Sequence, residues 1–436
     1  MAVQIAENVY WVGAIDWNVR NFHGYTYSTP RGSTYNAYLI VDEQVALVDT
    51  VQRGFEDEMM ARIREVVDPA RIRYLIANHG EVDHSGAIPH VLRHAPQAEL
   101  ICSRKGVESL GRYYPELKHF HTVVTGDTIP LGAKTLTFLE APMLHWPDSM
   151  FTYIPQDQLL LPNDAFGQHL ASSQRFADEV DQSQLWQEAA AYYANILTPF
   201  SKLVLRKLDE VAKLNLSIAT IAPSHGVIWR RDPGQIVEAY RRWASAAAKP
   251  RVVIVYETMW GATGKLARAL EQGIADEGVE ALVRALPQSD RTDVFEELLE
   301  AGGLLVGSST HNQRMLPNIA AFLDEMVGLR FGSKPAAAFG CQGWTGGAVP
   351  QIEEHLKAAG MRLQDAGLAV RWSPSEEELQ KARAFGREFA RQVKQAAAEP
   401  EQVGVAATRC RNAGGGRHPR RPPPRAGGRA PRRAAE

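Results

Sequence analysis

Three cysteines in 436 residues, at 102, 341 and 410, leave no disulfide framework and no paired CxxC site for zinc or a rubredoxin-type iron. No apolar run approaches the roughly 18 residues of a membrane span. The opening stretch "MAVQIAENVYWVG" lacks the basic flank and apolar core of a signal peptide. There is no GKS/T that would make a Walker A loop and no GxGxxG fingerprint of a dinucleotide fold. These absences predict a soluble cytoplasmic protein with no membrane contact. Its length exceeds one ordinary hydrophobic core, so at least two domains are expected.

Charge is unevenly spread. Residues 401–436 hold nine arginines against Glu401 and Glu436, so the formal −2 of the whole conceals an acidic body and a basic tail. From about residue 398 the Arg/Pro/Gly/Ala composition cannot build a core and predicts disorder. The tail lacks interleaved aromatics, so no nucleic-acid partner is expected of it despite its charge.

The ordered part divides into two rhythms. Up to about residue 248, short β-branched runs such as "TYNAYLIV", "VALVDT", "RYLIA", "AELICS", "TLTFLEA", "MFTYI", "QLLLP" and "LSIATIAP" alternate with polar turns and a few helical stretches. The segment "AAAYYANILTPFSKLVLRKLDEVAKL" reads as helix, break, helix, and "ASAAAKP" (244–250) as a linker. From 251 to about 397, strands ("RVVIVY", "EALVRALP", "GLLVGSS", "KPAAAFG") alternate with helices, which predicts a parallel, doubly wound sheet. The expected organisation is therefore 1–248, 251–397 and a tail over 398–436.

Candidate metal ligands gather at strand ends in the first half. His79 follows "YLIAN", His145 follows "LTFLEAPML", Asp164 follows "LLLPN" and His225 follows "IATIAPS". The stretch "HGEVDH" adds Glu81 and Asp83 in alternation with His79, and His84 at the start of a predicted helix "SGAIPHVLRH". A sheet presents its strand ends along one rim, so these four histidines and three carboxylates suffice for two metals bridged by one carboxylate. His90 and His94, four apart on one helix beside Arg93, read as a solvated face, as do His119 and His121. His169, just after "PNDAFGQ", is a candidate orienting partner for a ligand.

In the second half, the loop "ETMWGATGK" after the first strand places Thr258, Met259, Trp260, Gly261, Ala262 and Thr263 before a helix N-terminus, an arrangement suited to a phosphate. "GSSTHNQRMLP" (Ser308, Thr310, His311, Asn312) and "FGCQGWTGGA" (Cys341, Gln342, Gly343, Trp344, Gly346) end the third and fourth strands. In flavodoxin-like sheets FMN binds beyond these strand ends. Trp260 and Trp344 offer planar surfaces for its ring.

"HGEVDH", a lone histidine, "PNDAFG" and "APSHG" together resemble the metallo-β-lactamase superfamily, with Glu81 where HxHxDH has its second histidine. That carboxylate hardens the site, away from zinc and toward iron. Irving–Williams ordering still gives zinc the higher raw affinity. With the flavin loops, the chain resembles the flavodiiron proteins over about residues 5–395. The resemblance implies an α/β fold with an N-terminal metallo-β-lactamase-like αββα sandwich and a C-terminal flavodoxin-like sheet. It implies His79, Glu81 and His145 on one iron, Asp83, His84 and His225 on the other, and Asp164 between them. His23 and Tyr25, in "FHGY", would line the substrate pocket.

The resemblance further implies reduction of dioxygen to water or of nitric oxide to nitrous oxide, with FMN and two non-haem irons as cofactors. A rubredoxin-like donor is implied as a separate protein, because no rubredoxin domain follows residue 398. A head-to-tail homodimer, or a dimer of dimers, is implied too. Glu257, Ser309 and Cys341 depart from the family at the flavin loops, where Asp, Pro and a small or hydroxyl residue are common. The alternatives are a di-zinc hydrolase with an accessory flavodoxin domain, and a flavodoxin-type electron carrier with a degenerate first domain.

Overall fold

A computed structural model of the chain describes residues 1–364 and 366–398. The basic tail lies outside the described residues. Two sheets stack in the first lobe. One has seven strands in the order Val3–Ala6, Val9–Trp11, Tyr38–Val41, Val45–Val48, Ile72–Ala77, Glu99–Ser103 and His121–Val123. The other has five: Thr128–Pro130, Thr135–Glu140, Met150–Ile154, Leu159–Leu161 and Thr220–Ile221.

Alternation along the strands explains the layers. In Ile72–Ala77, Ile76 faces the opposing sheet with Val48, Phe138, Met150 and Leu161. Its neighbours Leu75 and Ala77 face the other way, onto Met59, Met60, Ile63, Val91 and Leu110 of the outer helices. Across the gap, Met150 and Ile154 point into the inter-sheet core, while Phe151 and Tyr153 pack outward with Leu185, Val204 and Tyr240. Both sheets are thus buried on both faces, which is why their strands read as nearly continuous apolar runs. The result is an αββα sandwich.

The second lobe is a parallel sheet. Glu280–Ala285, Lys249–Glu257, Ala301–Ser309 and Pro335–Gln342 lie side by side, and the short strands Arg362–Leu363 and Leu368–Arg371 both pair with Pro335–Gln342. The first strand in sequence lies between the second and third, so the chain reverses direction there and leaves a crevice at the carboxyl ends. Helices Ala262–Asp276 and Glu376–Ala398 cover one face through Leu266, Leu270, Phe389 and Val393. Arg291–Glu300, Pro317–Leu329 and Ala348–Ala358 cover the other through Phe295, Phe322 and Ile352.

That second helical layer is shared. Phe295 and Leu298 belong to the same apolar cluster as Leu185, Tyr192 and Tyr193 of the first lobe. Ser28 donates its N–H to Thr292 Oγ1 (2.9 Å), and the Asn195 amide reaches the Thr292 carbonyl (3.3 Å). The two lobes therefore form one compact body.

Local details differ from the sequence reading. The strand expected in "LSIATIAP" is only Thr220–Ile221, because the chain beyond it is bent into a loop at Pro223–Gly226. After His79 the backbone does not stay extended: Glu81 precedes a helical turn Val82–Ser85, and the main helix begins at Ile88. The break in "YYANILTPF" is a π-turn over Tyr193–Leu197 followed by a 3₁₀ turn at Thr198–Phe200. Among the described residues no helix is long and apolar enough to cross a membrane.

Candidate metal centre and flavin loops

The strand exits of the first lobe are held by buried polar side chains. Asp49 accepts the Asn78 N–H on Oδ1 (2.8 Å), and its Oδ2 accepts from the side-chain amide of Asn163 (3.1 Å). One carboxylate thereby fixes the residues that immediately precede His79 and Asp164. The loop bearing His225 is clamped by Asn36, whose amide nitrogen donates to the carbonyls of Pro223 (2.8 Å) and Gly226 (3.0 Å).

From these exits the side chains converge in two groups, His79 with Glu81, His145 and Asp164, and Asp83 with His84 and His225. In the first, Glu81 Oε2 lies 3.2 Å from His79 Nε2 and 3.4 Å from His145 Nε2. In the second, Asp83 Oδ2 lies 3.2 Å from His225 Nε2 and 3.4 Å from His84 Nε2. Asp164 stands between the groups. Its Oδ2 faces His145 (3.3 Å) and His79 (3.6 Å), and its Oδ1 faces His84 (3.0 Å) and His225 (3.5 Å).

Burial would keep these groups neutral, and their mutual charge opposes it. Burial lowers the pKa of His84, yet Asp83 and Asp164 outweigh it and raise the imidazole to about 9. His145 reaches about 9 in the same way, through Asp164 and Glu81. Burial would raise Asp164, but His84 and His145 hold its carboxyl well below the ordinary range.

The set fits a pair of metal ions. Asp83 Oδ1, His84 Nε2 and Asp164 Oδ2 are buried and have no hydrogen-bond partner among the described residues. Such atoms are costly unless a cation satisfies them. Four imidazole nitrogens with three carboxylates, one of them turned to both groups, could hold two ions. The mixed nitrogen and oxygen donors without thiolate suit non-haem iron.

His23 lies at the edge of this cluster, its Nε2 3.5 Å from Glu81 Oε1. Tyr25 does not join it in the single chain. Its side chain is 84% exposed and lines a cleft with Ser28, Leu286, Pro287 and Asn318, because the positive φ of His23 and Gly24 turns the loop outward. His169 is buried behind His225, with Nδ1 2.8 Å from Ser33 Oγ and its ring stacked on Phe22. Burial and the neighbouring His225 push its pKa well below the usual value, so it stays neutral. His90 and His94 stack on each other at the surface, and His121 pairs with Glu99.

Several residues of the site escaped the sequence reading. Asp148 accepts from His79 Nδ1 (2.9 Å), and Asp49, Asn36 and Ser33 have the roles given above. None of them forms a metal-ligand or catalytic motif with its neighbours, and only its partner, distant in sequence, gives it meaning.

In the second lobe, Gly261 (φ +84°) turns the chain into the helix Ala262–Asp276. It has no side chain to satisfy the helix's first N–H groups, which remain available to a phosphate. Thr258 Oγ1 accepts from the Gly261 N–H (3.1 Å) and shapes the loop. Met259, Trp260, Gly261, His311, Asn312, Trp344 and Gly346 are exposed along the same rim, with Thr258, Ala262, Thr310, Gln342 and Gly343 partly covered. Trp260 and Trp344 are 94% and 79% exposed, large apolar surfaces suited to a flat ring. Trp372, which the sequence reading missed, joins them: its ring centroid lies 6.1 Å from that of Trp344, and it packs over Gly343.

Three flavin candidates are buried, their side chains engaged within the protein. The Thr263 hydroxyl lies 3.0 Å from Ser309 Oγ, Ser308 Oγ accepts from the Leu316 N–H (2.9 Å), and Cys341 packs in the core with Ala337 and Val370. Glu257 is likewise committed to the protein, holding the N–H (3.1 Å) and side-chain amide (2.8 Å) of Asn318.

Fold and site together define a two-lobed metalloflavoprotein. Comparison with known proteins makes this specific. The family model described as "ODP family beta lactamase" matches residues 34–226, and that described as "Flavodoxin" matches 254–386. A nitric oxide reductase of Moorella thermoacetica is 51% identical over 393 residues, covering 90% of this chain and 98% of its own length. Among solved structures, the rubredoxin oxygen:oxidoreductase of Desulfovibrio gigas superposes with a TM-score of 0.89 at 34% identity, over 92% of this chain and all (100%) of that one. The flavodiiron protein of Giardia intestinalis gives 0.88 at 36% identity, over 91% and 98%.

The chain belongs to the flavodiiron protein family. It is an oxidoreductase whose cofactors are FMN and a non-haem diiron pair. The hydrolase alternative gains no support from these relatives.

Proposed function

We propose that the chain reduces nitric oxide to nitrous oxide and/or dioxygen to water at the rim of its first lobe. A rubredoxin-like protein is the electron donor. Support for the gases and the donor comes from the names of the Moorella and Desulfovibrio relatives. The observation that carries the reading is the position of Asp164, with one oxygen toward each histidine group, in a chain that also has a flavodoxin lobe.

His79, Glu81 and His145 would hold one iron, Asp83, His84 and His225 the other, and Asp164 would contact both. When bound, the iron pair and FMN supply the two electrons that join two nitric oxide molecules, or the four that reduce dioxygen. The protein's own part is to orient and to exclude. His225 is fixed through Nδ1 to the Thr34 carbonyl (2.6 Å), and Phe22, Tyr27, Tyr192 and neutral His169 wall that side against water. His23, only partly covered, marks the open edge where a small gas enters.

A head-to-tail homodimer, or a dimer of such dimers, would set one chain's flavin rim against the other's metal rim and cover Trp260 and Trp344. The Thr258–Thr263 loop would take the flavin phosphate. The proposed domains are 1–248 and 251–397, and the cytoplasm is the proposed location.

Two measurements test this reading. Metal analysis of protein from an iron-replete host should give two irons and one FMN per chain. Steady-state turnover with each gas, using reduced rubredoxin, should then show consumption of at least one. Zinc as the sole metal, or no turnover with either gas in a protein loaded with both cofactors, would overturn it.

A further inference from the structure

We infer that the two metal positions are unequal, the one at His79, Glu81 and His145 retaining its ion more firmly than the one at Asp83, His84 and His225. Asp148 acts as the positioning residue that makes the difference. The inference rests on the two-metal reading of the site and goes beyond it.

The ligand inventories do not separate the positions. Each offers two imidazoles, one carboxylate and one oxygen of Asp164. What differs is the layer behind the imidazoles. His79 donates its Nδ1–H to Asp148 Oδ1 at 2.9 Å. The other oxygen of Asp148 accepts from the Gly80 N–H (2.9 Å) and from Ser109 Oγ (2.5 Å), and its carbonyl accepts from Ser103 Oγ (2.8 Å). This buried carboxylate is fixed at both ends. It holds the His79 ring in the tautomer and angle that aim Nε2 at Glu81 and Asp164, and its charge makes that nitrogen a stronger donor.

Among the described residues, the second position has no such anion hydrogen-bonded to an imidazole. His225 Nδ1 donates to the uncharged carbonyl of Thr34, with Ser33 Oγ 3.4 Å away. His84 Nδ1 is buried and has no hydrogen-bond partner among the described residues, so no outer group fixes that ring. Asp49 is the nearby carboxylate on this side, and its hydrogen bonds run to Asn78 and Asn163 instead. Loss of an outer-shell carboxylate weakens a metal site by about 10–100-fold, enough to order the release of two otherwise matched ions.

The experiment uses the iron-loaded full chain, exposed to a rising concentration of EDTA and assayed for iron per chain over time. Two phases are expected, with about one iron lost well before the other. Anomalous diffraction from half-stripped crystals should find the remaining ion beside His79 and His145. Asp148→Asn, which keeps the shape and removes the charge, should accelerate the slow phase by about 10–100-fold, and His84→Ala should accelerate only the fast phase.

Simultaneous loss of both ions, a residual ion beside Asp83 and His225, or an unchanged slow phase in D148N would each overturn the inference. Should D148N fail to fold, the wild-type phases and the anomalous map still decide it. Failure of the functional reading shows itself separately, in gas turnover, which the release assay does not use.

Discussion

His84 Nε2 lies 3.0 Å from Asp164 Oδ1, although the two residues are 80 positions apart, one in the helical turn Val82–Ser85 and the other just beyond the strand Leu159–Leu161. The contact turns His84 into the cluster, where it closes the second histidine group. Asp164 uses its other oxygen for the first group.

Asp164→Asn should therefore affect both positions at once. Its iron content is expected to fall below one per chain. Turnover should drop by more than the about 10–100-fold that loss of an outer partner costs. Metal analysis beside gas consumption checks this, and full retention of both irons would count against the shared role.

Asn36 is fully buried, and its side chain bonds to three partners: Pro223, Gly226 and, through Oδ1, the Trp11 indole N–H (2.7 Å). Asn36→Ala strands buried groups and should cost about 2–3 kcal/mol. Because the clamped loop carries His225, iron should be lost mainly from the Asp83 side. Chemical unfolding and metal analysis of the same variant report both effects.

The metal-free chain should show an unusual pH dependence. His84 and His145 sit at about 9 in the fold, above the roughly 6.5 of an unfolded imidazole. A raised imidazole pKa favours the fold while the proton is bound. That stability is complete below about pH 6.5 and is lost as pH climbs toward about 9. The melting temperature of chelator-stripped protein should fall across this window. In the loaded protein, metal stands in place of the protons, so the decline should vanish and iron should instead leave faster at low pH. A flat profile in the stripped protein would contradict the assignment.

Glu257→Ala removes the side chain that holds Asn318 at the start of the helix Pro317–Leu329. A loss of about 1 kcal/mol is expected, as for a helix cap, with iron content unchanged. Urea titration followed by iron analysis separates this local effect from damage to the metal lobe.

The sequence by itself determined the layers and the chemistry on offer. Apolar runs such as "RYLIA" and "RVVIVY" predicted buried strands, and strand–helix alternation after 251 predicted a parallel sheet. Both follow from periodicity, which is local. The ligand candidates were legible locally too: His79, His145, Asp164 and His225 each follow an apolar run, and Glu81, Asp83 and His84 crowd beside His79 in "HGEVDH". Glu81 in "HGEVDH" already leaned the metal toward iron.

The tertiary structure decided which atoms meet. That Asp164 faces both groups, that Asp148 backs His79, and that Asp49 ties Asn78 to Asn163 depend on strands from two sheets arriving at one rim. The same holds for burial in the loops: the side chains of Thr263, Ser308 and Cys341 are buried within flavin-loop motifs, and Tyr25 is exposed beside a cleft. Spacing along a chain fixes which side chains are near one another only within a helix or strand. Direction and burial at a loop are set by packing against partners that the sequence places far away.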